Sequence, residues 1–206
     1  MKAKYVGMGA ALAAALVLSA CGGKASFTIS GTVTTSGGTP IANNGLVLQN
    51  GSDTVAVPLG QTTFSFPNTV SYGTEYLVTI KTQPDHMTCN VSNPHGSAGQ
   101  TTSISVQVLC AQNTHSVGGT ISNLTLDGLS IINGSSSGAY AISKGATTFT
   151  FPAAIPVGTP YGLTIYTQPK ETDTNGNVTK TQTCTLVNGT DVMGDADRAN
   201  VVITCQ

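Results

Sequence analysis

The side chains able to act as a base near neutral pH are three histidines, His86, His95 and His115. Hydrolysis by a serine or cysteine nucleophile needs such a base within hydrogen-bond reach. None of the three lies in a nucleophile-elbow pattern, so they read as solvated loop residues and no catalytic group is assigned. His86, Cys89 and His95 are close enough in sequence to suggest zinc, but Cys89 has a counterpart, Cys184, with no histidine beside it. Calcium is the better metal candidate. Asp191, Asp195 and Asp197 place three carboxylates within seven residues, and Asp173-Thr174-Asn175-Gly176-Asn177 has part of a calcium-loop pattern. Calcium takes six to eight oxygens, and neither segment supplies them by itself. The expectation is a protein with no cofactor and no resident metal, with the three aspartates as an incomplete calcium set.

Other chemistries are thinly represented. There is no tryptophan to form a glycan platform, and only six tyrosines. Tyr76 and Tyr161 recur at equivalent places and read as core, whereas Tyr140 and Tyr166, found in copy two alone, are the better candidates for exposed contact, with ordinary packing still the leading reading for them. No glycine-rich phosphate loop opens a helix. Only 8% of the residues are charged, and the formal balance is −1. Loss of the first 20 residues would take Lys2 and Lys4 away and move that balance to −3, which argues against nucleic acid as a partner.

The elements that hold these residues are written twice. Ser30-Gly31-Thr32 answers Gly118-Gly119-Thr120, and Asn50-Gly51 answers Asn133-Gly134. Phe64-Ser65-Phe66-Pro67 answers Phe149-Thr150-Phe151-Pro152, and Thr82-Gln83-Pro84 answers Thr167-Gln168-Pro169. Thr88-Cys89 and Cys110 answer Thr183-Cys184 and Cys205. Within each copy, apolar residues alternate with polar ones, as in Tyr76, Val78, Ile80 and in Ile104, Val106, Val108, which marks half-buried strands. Short strands joined by Asn-Gly turns predict an all-β chain of two tandem antiparallel, immunoglobulin-like β-sandwiches, over residues 27–110 and 115–206 with a linker at 111–114. The spacing from Cys89 to Cys110 equals that from Cys184 to Cys205, so one disulfide is expected inside each copy, across the last hairpin.

The start of the chain has a different design. Met1-Lys2-Ala3-Lys4 is basic, and Val6 to Leu18 is apolar but too short to span a bilayer, the layout of a secretory signal peptide. Leu18-Ser19-Ala20-Cys21 then resembles the lipobox of bacterial lipoproteins position for position. The resemblance implies cleavage before Cys21, a diacylglycerol and further acyl chains such as palmitate on that residue, and a tether at 21–26. With Gly22 rather than Asp next to it, the resemblance implies the outer membrane of a cell envelope.

Two further resemblances concern the mature part. Gly31-Thr32-Val33 through Leu46-Val47-Leu48 resembles the opening of carboxypeptidase-regulatory-like, prealbumin-type sandwiches. The Thr-Gln-Pro, Thr-Cys and terminal Cys of each copy resemble a repeat found in proteobacterial envelope lipoproteins. These likenesses imply location and fold rather than activity. The expected role is that of a non-enzymatic structural or protein-binding envelope module, with a carbohydrate-binding or adhesion module as the alternative. Copy two has ten extra residues between Thr-Gln-Pro and Thr-Cys, read as a protruding hairpin over 170–180. Lys170, Glu171, Asp173, Asn175 and Lys180 are therefore the candidate partner-binding residues.

Overall fold

The computed structural model describes residues 25–135 and 138–206. Every regular element among them is a strand. The first half contains β1 (Ser26–Thr35), β2 (Val47–Asn50), β3 (Asp53–Ala56), β4 (Thr63–Ser71), β5 (Glu75–Thr82), β6 (Met87–Ser92), β7 (His95–Ser97) and β8 (Ile104–Gln112). They form two four-stranded sheets in the orders β4-β1-β8-β6 and β3-β2-β5-β7.

The second half repeats the plan. It contains β9 (Thr114–His115), β10 (Val117–Ser122), β11 (Leu129–Asn133), β12 (Tyr140–Ile142), β13 (Thr148–Thr150), β14 (Ile155–Pro156), β15 (Pro160–Thr167), β16 (Lys170–Thr172), β17 (Val178–Thr181), β18 (Cys184–Val187), β19 (Thr190–Val192) and β20 (Arg198–Cys205). The sheets β13-β10-β20-β18 and β12-β11-β15-β19 match those of the first half strand for strand. The surplus consists of two small pairs, β9 with β14 and β16 with β17. Residues expected as a linker are themselves extended, since β8 runs through Gln112 and β9 opens at Thr114.

Alternation produces this outcome directly. On β8 the inward positions Ile104, Val106, Val108 and Cys110 are buried while Ser105, Gln107 and Leu109 face out. The inner faces of the paired sheets enclose one apolar cluster around Ile29, Val33, Leu48 and Val78, and another around Leu129, Ile131, Leu163 and Ile203. The architecture is an immunoglobulin-like sandwich whose strand order is its own. In each half the first strand lies parallel beside the last, β1 on β8 and β10 on β20, whereas antibody constant domains group their strands as ABED and CFG.

The parallel pairing explains the recurrent glycine. Gly31 lies between Phe64 on one side and Val106 on the other, and Gly119 between Phe149 and Val201. A Cβ at Gly31 would overlap the Val106 carbonyl oxygen, and one at Gly119 the Val201 carbonyl oxygen. The backbones can approach only where there is no side chain. Gly31→Ala or Gly119→Ala should therefore cost at least about 2 kcal/mol, at the upper part of the overpacking range. Gly37→Ala, which meets nothing closer than 3.9 Å, should stay within about 0.5 kcal/mol of the parent. Urea denaturation of the three variants checks this, and equal midpoints would refute the close approach.

Candidate functional site

Both disulfides join directly opposed residues on neighbouring strands, Cys89 with Cys110 and Cys184 with Cys205, each with Cα atoms 3.9 Å apart. They lie within one sheet rather than across the sandwich, and all four cysteines are buried with the core. Cys21 lies outside the described residues, as does the expected signal peptide over 1–20.

Thr-Gln-Pro, the motif next to these cysteines, has a purpose that spacing did not disclose. Gln83 Nε2 donates to the Cys89 carbonyl at 3.1 Å, and its Oε1 accepts from the Cys89 N–H at 2.7 Å. Gln168 does the same with Cys184, at 3.0 and 2.8 Å. The side-chain amide copies a strand-pairing partner for the edge strand and occupies backbone groups that would otherwise be open to another chain. In the second copy this clasp spans 16 residues instead of 6, and so fixes the base of everything inserted between.

That insert folds as the expected hairpin. Lys170 pairs with Thr181, Glu171 with Lys180 and Thr172 with Val178. Lys180 Nζ lies 2.8 Å from Glu171 Oε2. That hydrogen bond, aided by the opposite charge, lowers the Glu171 carboxyl below its ordinary value and raises the Lys180 amine. At the tip, Asp173 Oδ1 accepts from the N–H groups of Asn175 at 2.9 Å and Asn177 at 2.8 Å, and Oδ2 accepts from Asn177 Nδ2 at 3.2 Å. Gly176 completes the turn with a φ of 85°. The Asp173 oxygens thus cap the turn. Lys170 donates its N–H to the Asp127 carbonyl at 2.9 Å, which ties the first leg to the sandwich.

Gln182 was not legible as important. Its counterpart, Met87, is an ordinary buried core residue. The buried Gln182 amide instead accepts from the N–H of Thr125 at 3.0 Å and of Leu126 at 3.3 Å, and donates to the Asn123 carbonyl at 2.6 Å. The second leg is thereby sewn to the loop that follows β10. Strand directions place the hairpin at the end of the second sandwich opposite its junction with the first, because β10 and β20 both run from the junction toward it.

The three calcium candidates do not converge. Asp195 Oδ1 lies 2.6 Å from His86 Nδ1, Asp197 Oδ1 accepts the Ser116 N–H at 2.7 Å and lies 3.5 Å from His115 Nδ1, and Asp191 Oδ2 lies 3.8 Å from Arg198. The backbone bond from Ser116 is the main cause that lowers the Asp197 carboxyl. Among the described residues no three His, Cys, Asp or Glu side chains gather as metal ligands. Asp195 instead reaches the first half across the junction, where Gln112 Nε2 also donates to the Val157 carbonyl at 3.2 Å. His86, in the turn between β5 and β6 at a φ of 55°, and His95, in β7, are exposed as expected, whereas His115, in β9, is half-buried; His86 and His115 each also face a carboxylate.

Of Tyr76, Tyr140, Tyr161 and Tyr166, Tyr166 alone is exposed. Tyr161 is buried and Tyr76 half-buried against the core, and Tyr140 also packs there, edge-on to Phe151 at 6.1 Å. Tyr166 is exposed, immediately before the Gln168 clasp. Gly134-Ser135-Ser136-Ser137-Gly138 has the spacing of a nucleophile elbow, yet it connects β11 to β12, not a strand to a helix as such an elbow requires. Ser136 and Ser137 lie outside the described residues. A surface depression on β2, β5 and β7 is lined by Gln49, Glu75, Tyr76, Leu77, Thr79 and His95, where Glu75 and His95 are the titratable acid and base.

No protein-family model matches the chain. No curated protein matches it either. Among solved structures it is similar to the major pilin protein T-13 of Streptococcus pyogenes, at 13% identity and a TM-score of 0.29, over 89% of this chain and 96% of that one. At this score the likeness adds nothing to the fold read from the sheets.

The Asp173 turn predicts a pH response. Its carboxyl is held below the ordinary aspartate value by the Asn177 backbone and side-chain bonds first, so the carboxylate supports the turn above the unfolded value of about 3.9. That support is lost as the pH falls through the lower folded value. The amide NMR signals of Asn175 and Asn177 should shift with a midpoint below the ordinary value of about 3.9. A midpoint at or above it would mean that the cap does not form.

Proposed function

We propose that this chain is a lipid-anchored envelope protein, without enzymatic activity, in which the β16–β17 hairpin is the recognition element for another envelope protein. The anchor rests on the lipobox-like Leu18-Ser19-Ala20-Cys21. The observation that carries the recognition reading is the hairpin. The two halves agree strand for strand except at the junction pair and here, and what duplicated sandwiches share is explained by their fold. Clasped at its base and capped at its tip, the hairpin presents Lys170, Glu171, Asp173, Asn175 and Lys180 on a preformed surface, which reduces the ordering cost of binding. A second reading, contact with a polysaccharide, is favoured by Tyr166, 63% exposed beside the hairpin base and found only in the second copy.

Replacing residues 170–181 by Asp-His, the residues at the same place in the first copy, should move the thermal midpoint by less than about 3 °C, because none of the removed side chains is in the core. The same variant should no longer retain its partner in pull-downs from envelope extracts. Retention by the folded variant would exclude the hairpin, and reproducible turnover by the purified protein would exclude a non-enzymatic role.

The anchor has its own test. Cys21→Ser should leave the membrane fraction, since a single residue carries all the acyl chains. Tight membrane association of that variant would mean that another element holds the protein there.

A further inference from the structure

One end face of the second sandwich is covered by the first. On it, Val157 is 8% exposed, donates its N–H to the Asn113 carbonyl at 2.9 Å and accepts Gln112 through its own carbonyl. The equivalent residue of the first sandwich is Tyr72, whose N–H donates to the Ala25 carbonyl at 2.8 Å in the same way. The next glycines correspond as well, with Gly73 donating to the Ala98 carbonyl and Gly158 to that of Met193, each at 2.8 Å. The two faces are built alike, yet Tyr72 is 65% exposed.

The Tyr72 ring is held in this position. It lies over Gly99, where a Cβ would strike the ring, and leans on Phe27 with centroids 6.5 Å apart at 45°. An aromatic ring supported from below and open above is a contact surface. In the loops of this face, residues 71–75 and 97–103, Glu75 is the single acidic side chain, and the tether brings one base, Lys24. Charge is close to balanced, so the ring decides what the face prefers.

We propose that this end of the first sandwich rests on the bilayer, with Tyr72 in the headgroup region as an interfacial aromatic contact. This rests on the reading of Cys21 as the lipid acceptor. Cys21 to Ala25 is four residues, which span at most about 14 Å when fully extended. A face bonded to Ala25 therefore cannot move far from the membrane surface. Tyrosine combines an apolar ring with a polar tip and favours that boundary. The orientation also directs the hairpin, at the opposite end of the second sandwich, away from the lipid.

The absence of tryptophan provides a clean probe. The mature chain with Tyr72→Trp is coupled through Cys21 to a maleimide phospholipid in phosphatidylcholine vesicles, and a Tyr166→Trp chain serves as the distal comparison. Emission from the indole introduced by Tyr72→Trp should shift to the blue and fall about twofold with lipids brominated near the headgroup, as for an interfacial aromatic. Emission from the Tyr166→Trp chain should stay unquenched. Unquenched, water-like emission from the Tyr72→Trp chain would overturn the contact, as would equal quenching of both variants, which describes a protein lying flat. The mass of the natural Cys21 peptide decides the anchor separately. An acylated peptide with an unquenched Tyr72→Trp chain refutes the membrane contact alone; an unacylated peptide refutes the anchor and the contact together.

Discussion

The parallel pairing of first strand with last closes each sandwich, and everything else in the chain is arranged around it. β1 and β10 enter between two neighbours, and the approach is close enough that only glycine fits at Gly31 and Gly119. Once the last strand is fixed, the edge strand beside it is fixed twice, by a disulfide on the core side and by a glutamine amide on its backbone. Crosslinks that close loops of this length contribute on the order of 3 kcal/mol by the chain-entropy model. For sandwiches of this size, that contribution is a large share of the net stability expected of a domain.

Clasp and disulfide also account for where the halves are free to differ. The segment between the glutamine and the cysteine is bridged by the clasp whatever its length, so it needs no contacts of its own to keep the sheets in register. The first copy keeps Asp85-His86 there and sends His86 across the junction to Asp195. In the second copy the same site carries the β16–β17 hairpin. One structural position thus serves as an internal joint in one copy and as an exposed projection in the other. The joint itself is polar. His86 and Asp195 are 45% and 66% exposed, so their pairing orients the halves more than it stabilises them.

The functional reading follows from that division. The shared geometry of the two sandwiches supplies rigid ends, one at the start of β1 and one far from it, and the features that break the repeat lie at these ends. Tyr72 replaces a covered valine at the near end, while the hairpin, Gln182 and Tyr166 gather at the far end. Recognition elements held on rigid sheets need less ordering on binding than free loops do.

Much of this was legible in the residues. Alternation of period two requires half-buried strands wherever it occurs, and a pattern written twice requires two similar cores. Equal cysteine spacing pairs the disulfides, and ten surplus polar residues around Asn-Gly form a hairpin because strand and turn preferences are local. What the tertiary structure decided are interactions between residues whose types are ordinary and whose partners are distant. Asp191, Asp195 and Asp197 look like a metal cluster in sequence because three carboxylates are adjacent. In space they turn to Arg198, His86 and Ser116, two of them far away in the chain. Gln83 and Gln168 show in sequence only as members of a repeated motif, and only the folded edge strand gives their amides backbone groups to hold. Tyr72 differs from Val157 in nothing that spacing can measure. Which of the two is covered depends on what lies beyond each end of a sandwich, and that is a property of the assembled chain rather than of any segment in it.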